Sequence, residues 1–204
     1  QLGFQDFDIF DGLYTCDQYI FNPDRITKKV DNKTRRFLFV GRYAEEKGII
    51  ELWDLFLKIN SKTSQKWELW CIGTGELWNN RIIDDHIKHF GFIQPEKIPE
   101  IAQQCHVYVL PSKYEPWGVS LHEMVSMGKA VLTSSKVGSS YYFVNQSKNG
   151  FIFYFDQRGD FESKMNKIMQ LSFQEISQMG EESVNLSQLF STSKWIENLN
   201  KIYD

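Results

Sequence analysis

The sequence predicts an α/β domain, a parallel sheet of about six strands with helices on both faces. From residue 36 onward, short apolar runs alternate with longer stretches of helical period, the order that builds a doubly wound sheet. Runs such as Val107 to Leu110 are apolar without a break, as a buried strand requires. The chain has 204 residues, 42% of them hydrophobic and 15% aromatic, enough for one full core in a single domain with appendages.

Taken in order, residues 1–34 carry Asp11-Gly12, Asn22-Pro23 and a polar, charged run without sustained period, so they read as lead-in and linker. Residues 35–204 are then the domain. Strands are expected at about 36–41, 67–72, 89–93, 107–110, 130–133 and 151–154, and helices at about 47–60, 78–87, 97–104, 118–127, 160–171, 173–189 and 192–203. The first helix repeats Ile49, Leu52, Trp53, Phe56 and Leu57, a stripe that faces a core. Gly73-Thr-Gly75 resembles a dinucleotide fingerprint, but Trp78 stands at the third glycine position, and a turn with paired glycines accounts for it better. The last helix places Trp195, Leu199 and Tyr203 on one side.

Composition excludes several classes of function. The formal charge is −3 and no long Lys/Arg run occurs, so a nucleic-acid footprint and a polybasic membrane anchor are not expected. The pairs Lys28-Lys29 and Arg35-Arg36 read as solvated charge beside the first strand. No apolar run approaches the roughly 18 to 20 residues of a membrane span, and no signal-peptide pattern opens the chain. Cys16, Cys71 and Cys105 are odd in number and read as buried or free thiols, which suits a reducing compartment and makes the glycosylation-type triplets at Asn32, Asn145 and Asn185 chance matches. His86, His89, His106 and His122 have no metal-ligand spacing, and Asp6-Phe-Asp8 lies in the lead-in, so no metal is expected.

The chemistry concentrates after the fourth strand, in Pro111-Ser-Lys-Tyr-Glu-Pro-Trp-Gly-Val-Ser-Leu-His-Glu. A helix opening near Gly118 presents unpaired N–H groups and the positive end of its dipole, which together attract an anion. Glu115 precedes that end. Glu123 follows it by roughly 7–8 Å at ~1.5 Å of rise per residue. A ligand with a diphosphate in its middle and hydroxyls at both ends satisfies all three features, and a nucleotide-sugar has that layout. Arg42, Glu115 and Gly138 directly follow strands, so one rim of the sheet gathers the polar candidates.

The segment from Glu115 to Leu132 resembles the donor-site signature of the retaining glycosyltransferases of the GT-B fold, the group-1 glycosyl transferase family. Phe37-Leu-Phe-Val-Gly-Arg-Tyr-Ala-Glu-Glu-Lys-Gly-Ile resembles the strand and loop that supply its phosphate-binding Arg and Lys; Leu69-Trp-Cys-Ile-Gly-Thr-Gly-Glu and Phe90-Gly-Phe-Ile resemble two further blocks in the same order. The resemblance implies a Rossmann-like domain, one half of a GT-B fold, that holds the donor. It implies that Arg42 and Lys47 stabilise the departing diphosphate, and that Glu115 contacts donor-sugar hydroxyls. Glu123 would accept from the ribose hydroxyls, and Gly41, Phe92, Trp117, Gly118, Val119 and Ser120 would complete the substrate site. Gly138-Ser-Ser140, followed by Tyr141 and Tyr142, is bulkier than the family pattern and bears on sugar choice.

The expected activity is transfer of a hexosyl group from a nucleotide-diphosphate sugar, such as a UDP-sugar, to a glycan or lipid-linked acceptor, as in polysaccharide biosynthesis. No cofactor and no metal are expected. The implied setting is cytoplasmic, extending to peripheral association of the full-length protein with the cytoplasmic membrane face. Gln1 in place of Met suggests a piece of something longer, whose N-terminal acceptor domain is absent from this chain and without which the fragment is inactive. The alternatives are a non-catalytic nucleotide-sugar-binding subunit, and an epimerase or hydrolase on the same architecture.

Overall fold

A computed structural model describes residues 14–25 and 34–203. Asp6, Asp8, Lys28, Lys29 and Asn32 lie outside the described residues. Six parallel strands form one sheet in the order β3-β2-β1-β4-β5-β6: β1 (Arg35–Val40), β2 (Trp67–Ile72), β3 (Ile87–Gly91), β4 (Val107–Leu110), β5 (Ala130–Ser134) and β6 (Gly150–Phe153). The order reverses between β1 and β4. The helices that follow those two strands pack on opposite faces of the sheet, which leaves a crevice beyond the strands' carboxyl ends, where such sheets hold ligands.

Strand side chains alternate between the faces, so the unbroken apolar runs fill two cores. Phe37, Phe39, Leu69, Cys71, Val107, Val109 and Leu132 face one layer, against α1 (Ile49–Asn60), α5 (Asp160–Gln170) and α6 (Phe173–Ser187). Leu38, Ile72, Tyr108, Leu110 and Val131 face the other, with α2 (Ile98–Ala102), α3 (Val119–Ser126) and α4 (Ser140–Phe143). The stripe expected on the first helix is the buried one, with Ile49, Leu52, Trp53 and Phe56 fully enclosed. A Ser172–Glu175 capping box opens α6. The chain closes with α7 (Thr192–Tyr203). Cys16, Cys71 and Cys105 are free and buried.

Two helical expectations are corrected. No helix spans 78–87: a single 3-10 turn at Trp78–Asn80 is followed by extended chain, and β3 begins at Ile87 rather than 89. Asp84 causes the difference, because its carboxylate accepts from the His86 amide at 2.8 Å and fixes a turn that competes with helix. His89 then bridges the Tyr43 hydroxyl at 2.9 Å and the Ile82 carbonyl at 2.8 Å, which ties this stretch to the core. The expected helix at 97–104 shortens to α2, entered through a 3-10 turn at Pro95–Lys97 and closed after Ala102, where the Gln104 and Cys105 amides turn back to the Ile101 and Ala102 carbonyls at 3.0 and 2.9 Å in a tightened last turn.

The segment 14–25 packs on the domain. Cys16 and Phe21 are buried, and Thr15 donates to the Phe190 carbonyl at 2.8 Å.

Trp53 is fully enclosed against Tyr43, at 5.4 Å between ring centroids. Trp53→Ala is expected to destabilise the domain by about 3–5 kcal/mol in a urea titration.

Candidate functional site

Three loops beyond the carboxyl ends of β1, β4 and β5 interlock through their backbones. The Lys113 amide donates to the Glu46 carbonyl at 2.7 Å, Glu115 N–H to Lys136 O at 3.1 Å, and Gly138 N–H to Glu115 O at 3.0 Å. The approach leaves no room for side chains at the crossing points. A Cβ on Gly48 would lie 2.1 Å from the Pro111 carbonyl oxygen, and one on Gly138 would lie 2.1 Å from that of Pro116. Gly48 also sits at φ 64°, between the 3-10 turn Glu45–Lys47 and α1, where only glycine is unstrained.

That interlock brings Lys47 onto Glu115. Their side chains, 68 residues apart in sequence, form an ion pair in which the Lys47 ammonium donates to Glu115 Oε2. Both are mostly shielded, at 18% and 17% side-chain exposure. Arg42 differs: it is 71% exposed and pairs with Glu46 at 2.5 Å. Glu45 is exposed at the same acidic turn.

Gly118 at φ 91° is the N-cap of α3, and its left-handed conformation turns the chain from the Glu115 loop into the helix. Val119 and Ser120 form the first turn, whose amides have no intrahelical acceptor. Tyr108, buried in β4, donates its hydroxyl to Ser120 Oγ at 2.8 Å. Glu115 and Glu123 both lie within electrostatic reach of that phenol and join burial in pushing its pKa up. The two acids thus converge on one region from either side of the helix end. The Glu123 carboxylate has no hydrogen-bond partner among the described residues, and burial pushes its pKa up to about 7 from the ordinary 4.5.

Beside this region a cleft of about 260 Å³ opens at the ends of β1, β2 and β3, lined by Gly41, Arg42, Gly73, Thr74, Phe92 and Ile93. Phe92 stands at its rim, 67% exposed. Three separate loops assemble this wall, which contains Gly41, Arg42 and Phe92 of the residues implied by the resemblance together with Gly73, Thr74 and Ile93. His122, beside Glu123 in the chain, does not border the site: it is fully buried, stacked on Phe143 at 4.3 Å, and burial holds its pKa down at about 4. No group of three or more His, Cys, Asp or Glu side chains suited to a metal ion occurs among the described residues. No helix among them is long and apolar enough to cross a membrane.

The site therefore comprises a shielded Lys–Glu pair, a helix end, a second acid and an apolar cleft on the crevice rim of a Rossmann-like sheet. The family model of the group 1 glycosyl transferases matches residues 21–185, and the chain belongs to that family. The uncharacterized glycosyltransferase MJ1178 of Methanocaldococcus jannaschii is 24% identical over 174 residues, which cover 82% of this chain and 47% of that protein. The sucrose-phosphate synthase of Thermosynechococcus elongatus superposes with a TM-score of 0.74 at 19% identity, over 93% of this chain and 50% of that one. The pneumococcal O-GlcNAc transferase GtfA, solved in complex with UDP and GlcNAc, gives 0.69 at 19% identity, over 86% and 38%. These likenesses identify the fold as that of a Rossmann-like domain of GT-B proteins. The chain spans about a third to a half of the length of the curated relatives it matches.

Because the Glu123 carboxyl is raised to about 7, its neutral form stabilises the fold relative to the charged form. That contribution is complete below pH 4.5 and is lost as pH rises through 7. Glu123→Gln is therefore expected to match the parent near pH 4 and to exceed it above pH 7 by about 2 kcal/mol, after allowance for partial exposure, in paired urea titrations.

Proposed function

We propose that this domain binds the donor of a retaining glycosyl transfer, a nucleotide-diphosphate sugar, and that the longer protein passes a hexosyl group to a glycan or lipid-linked acceptor. The observation that carries the proposal is the Lys47–Glu115 pair set beside the amino end of α3. A lone surface ion pair has no need of such enclosure. In the proposed complex the diphosphate takes the Lys47 ammonium and the α3 amides, while Glu115, released from Lys47, accepts from the sugar hydroxyls. Arg42 leaves Glu46 to add a second positive charge at the cleft edge. The Glu123 carboxylate, desolvated and without a partner, gains two donors from the ribose hydroxyls, and the base enters the cleft between Gly41 and Phe92.

Catalysis by this domain consists of stabilising the diphosphate as negative charge builds on it, since only interactions stronger in the transition state than in the ground state accelerate the reaction. Arg42 and Lys47 supply that stabilisation, and no divalent ion is assigned a role. The domain alone is proposed to bind donor without transferring it. UDP in the complex of the structural relative GtfA supports a uridine nucleotide as the first probe. The proposed setting is the cytoplasm, at the membrane surface where the acceptor is lipid-linked.

Calorimetric titration with UDP, GDP and ADP, with and without chelator, tests the donor site. At least one nucleotide is expected to bind with an affinity that survives chelation. Arg42→Ala and Lys47→Ala are expected to weaken it, Lys47→Ala by roughly 10- to 100-fold, the loss typical of a hydrogen bond to a charged group. Binding that requires Mg²⁺ overturns the metal-free scheme.

The acids divide the ligand between them. Glu123→Ala is expected to weaken bare nucleotide and sugar nucleotide alike. Glu115→Ala is expected to weaken the sugar nucleotide selectively, leaving the bare diphosphate unchanged or tighter because Lys47 loses its competing partner. Equal losses on both ligands in the Glu115→Ala protein refute this division.

A further inference from the structure

Next to the helix end lies a row of aromatic rings built around Trp117 and the Tyr141-Tyr142 pair. Trp117, the residue before Gly118, is half-buried and carries Tyr14 stacked on it, with ring centroids 4.9 Å apart and planes at 29°. Tyr142 also packs on Trp117, at 5.5 Å and 44°, and Tyr141 packs on Tyr142, at 5.1 Å and 88°. The row is exposed at both ends, Tyr14 at 58% and Tyr141 at 84%. Its base is firm: Tyr142 packs on Phe190 at 5.1 Å, Thr15 anchors the Tyr14 segment to the Phe190 carbonyl, and the Ser139 amide donates to the Trp117 carbonyl at 2.9 Å.

We propose that this row is a subsite for a neutral pyranose unit of the acceptor, stacked through its C–H face. The proposal rests on the donor-site reading above. Three observations support it. Exposed aromatic rings leave the interior only at a cost in apolar hydration, and here three separate chain segments place theirs side by side. The rings bear hydroxyls on Tyr14, Tyr141 and Tyr142, and among the described residues no Lys or Arg packs on them, so the matching ligand has apolar faces and polar edges and needs no charge. A pyranose has that character, with ring C–H groups that pack on aromatic faces while its hydroxyls meet phenols. Finally, Trp117 within the row is one peptide bond from Gly118, so a sugar stacked on the row lies beside the proposed transfer site, where an acceptor must arrive.

Saturation-transfer difference NMR on the 204-residue chain, with maltotetraose, cellotetraose and chitotetraose as probes, tests the subsite. At least one probe is expected to show saturable transfer strongest at its ring C–H protons, reduced at least fivefold by Tyr141→Ala and by Tyr14→Ala. Tyr141 is exposed enough that its removal leaves the fold intact, and UDP, GDP or ADP binding by both variants is expected to match the parent. No transfer to any probe, or transfer that both variants retain, overturns the subsite even where the nucleotide titration succeeds. Tyrosine-dependent transfer in a protein that binds none of the three nucleotides overturns the acceptor role and the donor reading together while leaving a pyranose surface in place.

Discussion

The site depends on the closeness of three loop backbones beyond the sheet. Gly48 lies against the Pro111 carbonyl and Gly138 against that of Pro116, at separations where any side chain would collide. Those crossings carry Lys47 on one loop to Glu115 on another and hold the mouth of α3 between them. The strands supply rigidity behind the loops: β1 and β4 are hydrogen-bonded neighbours, so the loops that follow them leave the sheet side by side. Precision in the charged groups is thus inherited from apolar packing such as Phe37, Phe39 and Val109 in one layer and Leu38, Tyr108 and Leu110 in the other.

The electrostatic character of the site is uneven. Lys47 and Glu115 neutralise each other within a shielded contact, which makes their desolvation tolerable. Glu123 has no such compensation, and its raised pKa records the stability the fold gives up to hold a carboxylate there. A ligand that brings hydroxyl donors would reverse that deficit. Local destabilisation at Glu123 and the proposed affinity for a ribose are two sides of one arrangement. Lys129 shows the same imbalance away from the site: burial lowers its pKa to about 8, with the Cys105 carbonyl accepting from it at 2.9 Å.

Fold class was legible in the chain because burial on both faces of a parallel sheet demands unbroken apolar runs, and Val107 to Leu110 or Phe37 to Val40 have few other uses. The helix start at Gly118 was legible as well, since a glycine between a loop and an amphipathic run marks a cap. The stretch 78–87 misled because its Trp78, Ile82 and Ile83 have a helical spacing, while Asp84 made a local hydrogen bond that periodicity does not register. Tyr108 carried no signal as a site neighbour. Within an apolar strand it reads as core, and only the fold turns its hydroxyl toward Ser120.

By itself the sequence determined which residues bear charge beside which strand: Arg42, Lys47, Glu115 and Glu123 follow from order alone, as does the family they resemble. Tertiary structure decided which of them meet. Lys47 reaches Glu115 while Arg42 turns to Glu46, His122 turns into the core, and Tyr14 from the lead-in comes to lie on Trp117. The reason is that local sequence constrains backbone conformation over a few residues, whereas contacts across 68 or 103 positions arise only when the sheet order and the backbone crossings are in place.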